Sequence, residues 1–99
     1  VHDGRVYTVS TSPVKSDSME EQARHAMKQL ETHLIEAGSS KSRLLTVTVY
    51  IADMARKAEM NKAWDEWADP ANPPQRACIG AVLEGADLIE LVAVAALND

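Results

Sequence analysis

A chain of 99 residues has room for one hydrophobic core and not for two, and buries roughly 60 to 65% of its unfolded surface. With 45% hydrophobic and 25% charged residues it is neither disordered nor a repeat array, and a net charge of −5 speaks against nucleic acid, whose phosphates need a concentrated basic patch. A single cysteine, Cys78, excludes an internal disulfide and any multi-cysteine metal site.

No apolar run approaches the length of a bilayer span, and the first residues lack a signal-peptide plan, so the expectation is a cytoplasmic protein with no membrane partner. The chain opens on Val1 and enters a strand almost at once, which leaves open an upstream segment. Asp3-Gly4 reads as a turn into a β-prone run, Arg5 to Ser10, that Pro13 ends or marks as an edge. Ser18 followed by Glu21 forms a capping box, and Glu20 adds favourable charge in the first turn. Ala23, Ala26, Met27, Leu30 and Leu34 then recur at helical spacing until Gly38 stops the helix.

Lys41-Ser42-Arg43 connects to a strand, Leu44 to Ile51, which alternates Leu45, Val47, Val49 and Ile51 against Leu44, Thr46, Thr48 and Tyr50 and is predicted to be central. Asp53 caps a second predicted helix, about Met54 to Ala68, with Ala63, Trp64 and Trp67 on or near one face. The prolines between Asp69 and Pro74 break it. Two β-like runs follow, Pro74 to Leu83 and Leu88 to Leu97, joined by the turn Glu84-Gly85-Ala86-Asp87. Arg76 and Cys78 share one parity of the first run, with apolar side chains on the other. The second run is almost wholly apolar, the pattern of a strand covered on both sides, and Glu90 is its one charge.

The order β-α-β-α-β-β predicts a single α+β domain over residues 1–99, with both helices on one side of the sheet. Whether the last two strands pair as a hairpin is open on these grounds. Among the chemical groups, Arg76 suits bidentate capture of a carboxylate, against the simpler reading of an edge-strand ion pair. Glu90 suits a general base, against a buried partner for Arg76 or for a base of a neighbouring subunit. Cys78 has no adjacent base to activate it and reads as a small buried hydrophobe. Trp64 and Trp67 read as an apolar helix face, and Asn61 as a tie between the second helix and the sheet. Glu20, Glu21, Glu31 and Glu36 read as a wet helix face, and His25 and His33, eight residues apart, as solvated or packed rather than metal-binding. No phosphate-cradling glycine loop and no serine nucleophile elbow is present.

Pro74-x-Arg76, the small residue next to it, Cys78, the short turn and Glu90 on an apolar strand together resemble the signature of the RidA family, also called the YjgF family. The resemblance extends to Gly4 to Ser10, Gln22, Ala37-Gly38, Val47 to Asp53, and Met60-Asn61 with Trp64. It implies a chorismate-mutase-like fold with strand order 1-4-2-3, a homotrimer with ligand pockets between subunits, and hydrolytic deamination of reactive enamines and imines such as 2-aminoacrylate and 2-iminobutanoate. In that scheme Arg76 holds the substrate carboxylate, Glu90 activates a water, and Cys78, Ser10 and Thr11 contact substrate, largely through backbone. No metal or other cofactor is implied.

Two departures stand out. Ser10-Thr11-Ser12 occupies the place of the usual Ser-Gly-Gln, and a pocket tyrosine found upstream in many members has no counterpart. The alternative expectation is therefore a non-catalytic module binding small carboxylates in the same cleft; RNA cleavage, proposed for some relatives, is disfavoured by the acidic balance.

Overall fold

The computed structural model describes residues 1–99. The first strand, β1, spans Arg5–Thr11 and leads to helix α1, Met19–Glu36. A 3-10 turn, Lys41–Arg43, feeds strand β2, Leu44–Ile51. A second such turn, Met54–Arg56, opens helix α2, Lys57–Trp67, and strands β3, Gln75–Gly80, and β4, Ile89–Ala96, complete the chain.

The strands form one mixed sheet in the order β1-β4-β2-β3. β4 runs antiparallel to both β1 and β2, whereas β3 runs parallel to β2 at the sheet edge. The last two strands are thus no hairpin; β2 lies between them, as the family resemblance implied. Both helices pack on one face of the sheet. Met27, Leu30 and Leu34 of α1 and Met60 and Ala63 of α2 are buried there with Val47, Val49, Ile51, Leu91 and Ala93.

Local chemistry explains the boundaries. Ser18 caps α1 by accepting from the Glu21 N–H at 3.2 Å. The reciprocal half of the expected capping box is not made: Ser16 Oγ accepts from the Ser18 N–H and donates to the Glu21 carboxylate, so a residue outside the motif bridges its ends. Gly38 stops α1 at φ +87°, a left-handed conformation that side chains disfavour. Asp53 caps through the Ala55 N–H at 3.0 Å. Gln22, wholly buried on α1, donates to the carbonyls of Ser16 and Ala86 and accepts from the Leu88 N–H, locking the β3–β4 connection to the helix.

Three expectations need correction. A register shift between Leu44 and Thr46 turns Leu44 into the core and leaves Leu45 exposed, so the strict alternation fails at the start of β2. On β4, Ile89, Leu91, Ala93 and Ala95 are buried, but Glu90, Val92, Val94 and Ala96 are only half-buried: one chain covers one side of this strand, not both. Regular strand structure in β3 ends at Gly80, three residues before the expected Leu83, and Val82 is fully exposed.

Candidate functional site

Register decides which of the expected site residues meet. Arg76 is the partner of Val47 and Cys78 of Val49, both core positions, so Arg76 and Cys78 point to the face that carries the helices. Ala77 and Ile79 of the same strand face the open side and are exposed. The expectation placed the apolar parity opposite Arg76, which holds. It is nevertheless the arginine side that faces the helices, because the parallel pairing with β2 fixes that choice.

Arg76 is half-buried beside α2. Its Nη2 donates to Asn61 Oδ1 at 3.0 Å and its Nη1 to the Met60 sulfur at 3.6 Å, while the guanidinium carbon lies 5.2 Å from the centroid of the Trp64 ring. Trp64 packs in turn against Trp67, with ring centroids 5.6 Å apart and planes tilted by 59°. Trp67 donates its indole N–H to Glu31 at 3.2 Å and lies under Lys41, 5.5 Å away. Glu31 therefore leaves the wet face it was read onto and anchors the aromatic pair. Asn61 ties α2 to the sheet as expected, through Arg76 itself.

No carboxylate is paired with Arg76, whereas Arg24, Arg43 and Arg56 each have an acidic partner. Along β2 and β3 runs a cleft of about 350 Å³, lined by Thr46, Val47, Thr48, Gln75, Arg76 and Ala77. Thr46, Thr48, Gln75 and Ala77 share the open face by register, so the Arg76 guanidinium, held against α2, lies on the other side of the sheet from their side chains. A larger cleft of about 420 Å³ adjoins Ser42, Arg43, Asn72 and Pro73. Arg43 is engaged there with the Leu97 carbonyl and the Asp99 carboxylate, while its buried Nε has no partner. An arginine already neutralised is the weaker anion site, which favours Arg76.

Glu90 lies elsewhere. Its cross-strand partners are Thr11 on β1 and Tyr50 on β2, all on the open face, opposite to Arg76. A pairing of Glu90 with Arg76 inside one chain, the alternative to its role as a base, is therefore absent: through the shared neighbour β2, register sends the two to opposite sides of the sheet. Thr11 shares the face of Glu90. Ser10 points the other way, is buried, and hydrogen-bonds His33 Nδ1 at 3.0 Å, where Thr8 joins it at 3.2 Å. His33 is the packed histidine of the two readings offered for it. Cys78 packs against the core as a half-buried side chain, in keeping with an inert thiol. No cluster of three or more histidine, cysteine or acidic side chains could hold a metal. No helix is long and apolar enough to cross a membrane.

A small α+β chain with two helices on a 1-4-2-3 sheet and an unneutralised arginine beside the edge strand has clear relatives. The profile of the family described as Endoribonuclease L-PSP matches residues 4–97. A RutC family protein of Haemophilus ducreyi is 37% identical over 100 residues, covering 99% of this chain and 86% of the relative. The RutC family protein YoaB of Escherichia coli K12 is 31% identical over 83 residues, 84% of this chain and 73% of its own. Among solved structures, a YjgF family member from Neisseria meningitidis superposes with a TM-score of 0.94 at 29% identity, over 98% of this chain and 82% of that one. The chain belongs to the Endoribonuclease L-PSP family, the RidA or YjgF family that its sequence resembles.

Proposed function

We propose that this protein hydrolyses reactive enamines and 2-imino acids of the 2-aminoacrylate and 2-iminobutanoate type to 2-oxo acids and ammonia, an enamine first taking a proton on its terminal carbon to become the imine. The observation that carries the reading is Arg76: a half-buried guanidinium beside α2, held by neutral groups and lacking a carboxylate of its own. A substrate carboxylate would supply the missing counter-charge, with two parallel hydrogen bonds. Water then adds to the imine carbon while one of its protons passes by way of Glu90 to nitrogen, giving a carbinolamine; the hydroxyl proton follows the same route to nitrogen as the C–N bond breaks, so that ammonia leaves and the carbonyl forms. Free imines hydrolyse unaided, so positioning and charge placement are enough to supply the acceleration.

Because Arg76 and Glu90 lie on opposite faces of one sheet, a substrate touching both requires two chains. The reading therefore includes a homotrimer whose cleft is completed by a neighbour. The apolar stretch of the open face, with Tyr7 and Val9 each 55% exposed beside Val92 and Val94, supports such self-association.

The test is ammonia and 2-oxo acid release from freshly generated 2-aminoacrylate and 2-iminobutanoate. Acceleration over buffer, lost in Arg76→Ala and in Glu90→Gln but regained when the two variants are refolded together, supports both the reaction and the shared site. Traces equal to buffer alone overturn it. A second reading, carriage of small carboxylates without turnover, is favoured by Thr11 beside Glu90, where the family's usual glycine would leave room; 2-oxobutanoate binding with no release would select it.

A further inference from the structure

Arg76 is surrounded by acceptors that hold a cation without cancelling it. An amide oxygen, a thioether sulfur and an indole face take up its near side, at 3.0 Å, 3.6 Å and 5.2 Å. Glu59, Asp65 and Glu66 lie on the same helix, yet none pairs with it: Glu59 is taken by Arg56 and Glu66 by Arg24, and Asp65 is exposed. Arginine carries donors only, so the group facing it at residue 61 must present oxygen, and Asn61 does so through its carbonyl. An aspartate would offer the same oxygen in the same place, together with a negative charge.

We infer that Asn61 is a positioning residue that sets the charge as well as the orientation of Arg76, holding the guanidinium still while leaving its positive charge for one ligand carboxylate. The inference rests on the reading of Arg76 as the carboxylate anchor, and it also narrows the ligand. Met60, Asn61 and Trp64, the groups that touch Arg76, are all uncharged, so the site matches one carboxylate and leaves a second without a counter-charge: it takes a monocarboxylate and rejects a dicarboxylate. Trp64 contributes by fixing the plane on which the guanidinium rests, itself braced through Trp67 and Glu31.

The experiment compares wild type, Asn61→Asp, Asn61→Ala and Arg76→Ala for binding of 2-oxobutanoate and of 2-oxoglutarate, by NMR titration. Thermal melting of each variant is recorded alongside. A merely structural tie predicts Asn61→Ala to be the worse of the two Asn61 variants, because aspartate keeps the hydrogen bond. The inference predicts the reverse: Asn61→Asp melts at or above the wild-type temperature yet loses 2-oxobutanoate affinity by at least tenfold, whereas Asn61→Ala loses severalfold. The wild type binds 2-oxobutanoate at least tenfold more tightly than 2-oxoglutarate. Should Arg76→Ala abolish binding while Asn61→Asp binds like wild type, the role of Asn61 is overturned and the anchor stands. Binding unchanged in Arg76→Ala, or absent from wild type, overturns anchor and inference together. If Asn61→Asp fails to fold, an Asn61→Ala affinity equal to wild type is the result that refutes it.

Discussion

The two faces of the sheet are made of similar residues and have opposite fates. On β4, Leu91 and Ala93 are sealed under the helices, while Val92 and Val94, one residue away on each side of the pleat, stay half-exposed. Hydrophobicity alone therefore does not report where this chain's own core lies; the chain has two helices, and two helices cover one face. The covered face carries the fold and the arginine site, and the open face carries Glu90, Thr11 and Tyr50. One sequence pattern thus serves two kinds of burial, one completed by folding and one left for association.

Leu91→Ala, on the covered face, is the most damaging change. It removes a fully buried side chain between the central strands and α1, and is expected to cost about 2–5 kcal/mol, read as a lower urea midpoint with unchanged slope. Val92→Ala, next to it in sequence, is expected to cost the isolated chain less than half as much and to register in sedimentation as weaker self-association. Equal losses in the two variants would show that the open face is packed by the chain itself, and the distinction between the faces would fail.

A polar group on the covered side gives an intermediate effect. Gln22→Leu keeps the volume but strands two carbonyls and the Leu88 N–H, at about 1–3 kcal/mol for each group that water fails to reach. Hydrogen exchange should then quicken first at Leu88 and Asp87, because the connection between β3 and β4 loses its anchor on α1. Uniform quickening across the sheet would instead mark Gln22 as ordinary core.

Much of this was legible in the sequence, and the failures share a cause. The element order, the Ser18 cap, the Gly38 stop and the candidacy of Arg76, Cys78 and Glu90 follow from local pattern and family signature. Parity could place Arg76 and Cys78 together but could not say on which face, since that depends on how β3 registers against β2. Nor could it separate Glu90 from Arg76, because the strands that carry them are not neighbours. Asn61 and Trp64 were visible as an i and i+3 pair; their convergence on Arg76 needed the third dimension. The register shift at Leu44 and the substitution of Ser16 into the α1 cap are likewise decided by partners distant from the pattern or outside it.

The smallest effect tests the outer surface of the helices, where α1 and α2 meet solvent rather than the sheet. Glu20 accepts from Lys62 at 2.9 Å and from Arg24 at 3.1 Å, and the hydrogen bond from Lys62, followed by the charge of Arg24, holds its carboxyl below the ordinary value. Asp69 is lowered likewise, first by Asn72 and then by the Ala71 N–H. A carboxyl whose pKa falls on folding stabilises the native state fully above its unfolded value, near pH 4, and that contribution disappears as pH drops through the lower folded value. Both groups are solvent-screened, so the contribution is small. Urea midpoints for wild type and Glu20→Gln should therefore differ slightly at pH 7 and converge by about pH 2. A gap that persists in acid would mean that the Glu20 side chain acts through packing between the helices, and that even this outer surface is held by contact rather than charge.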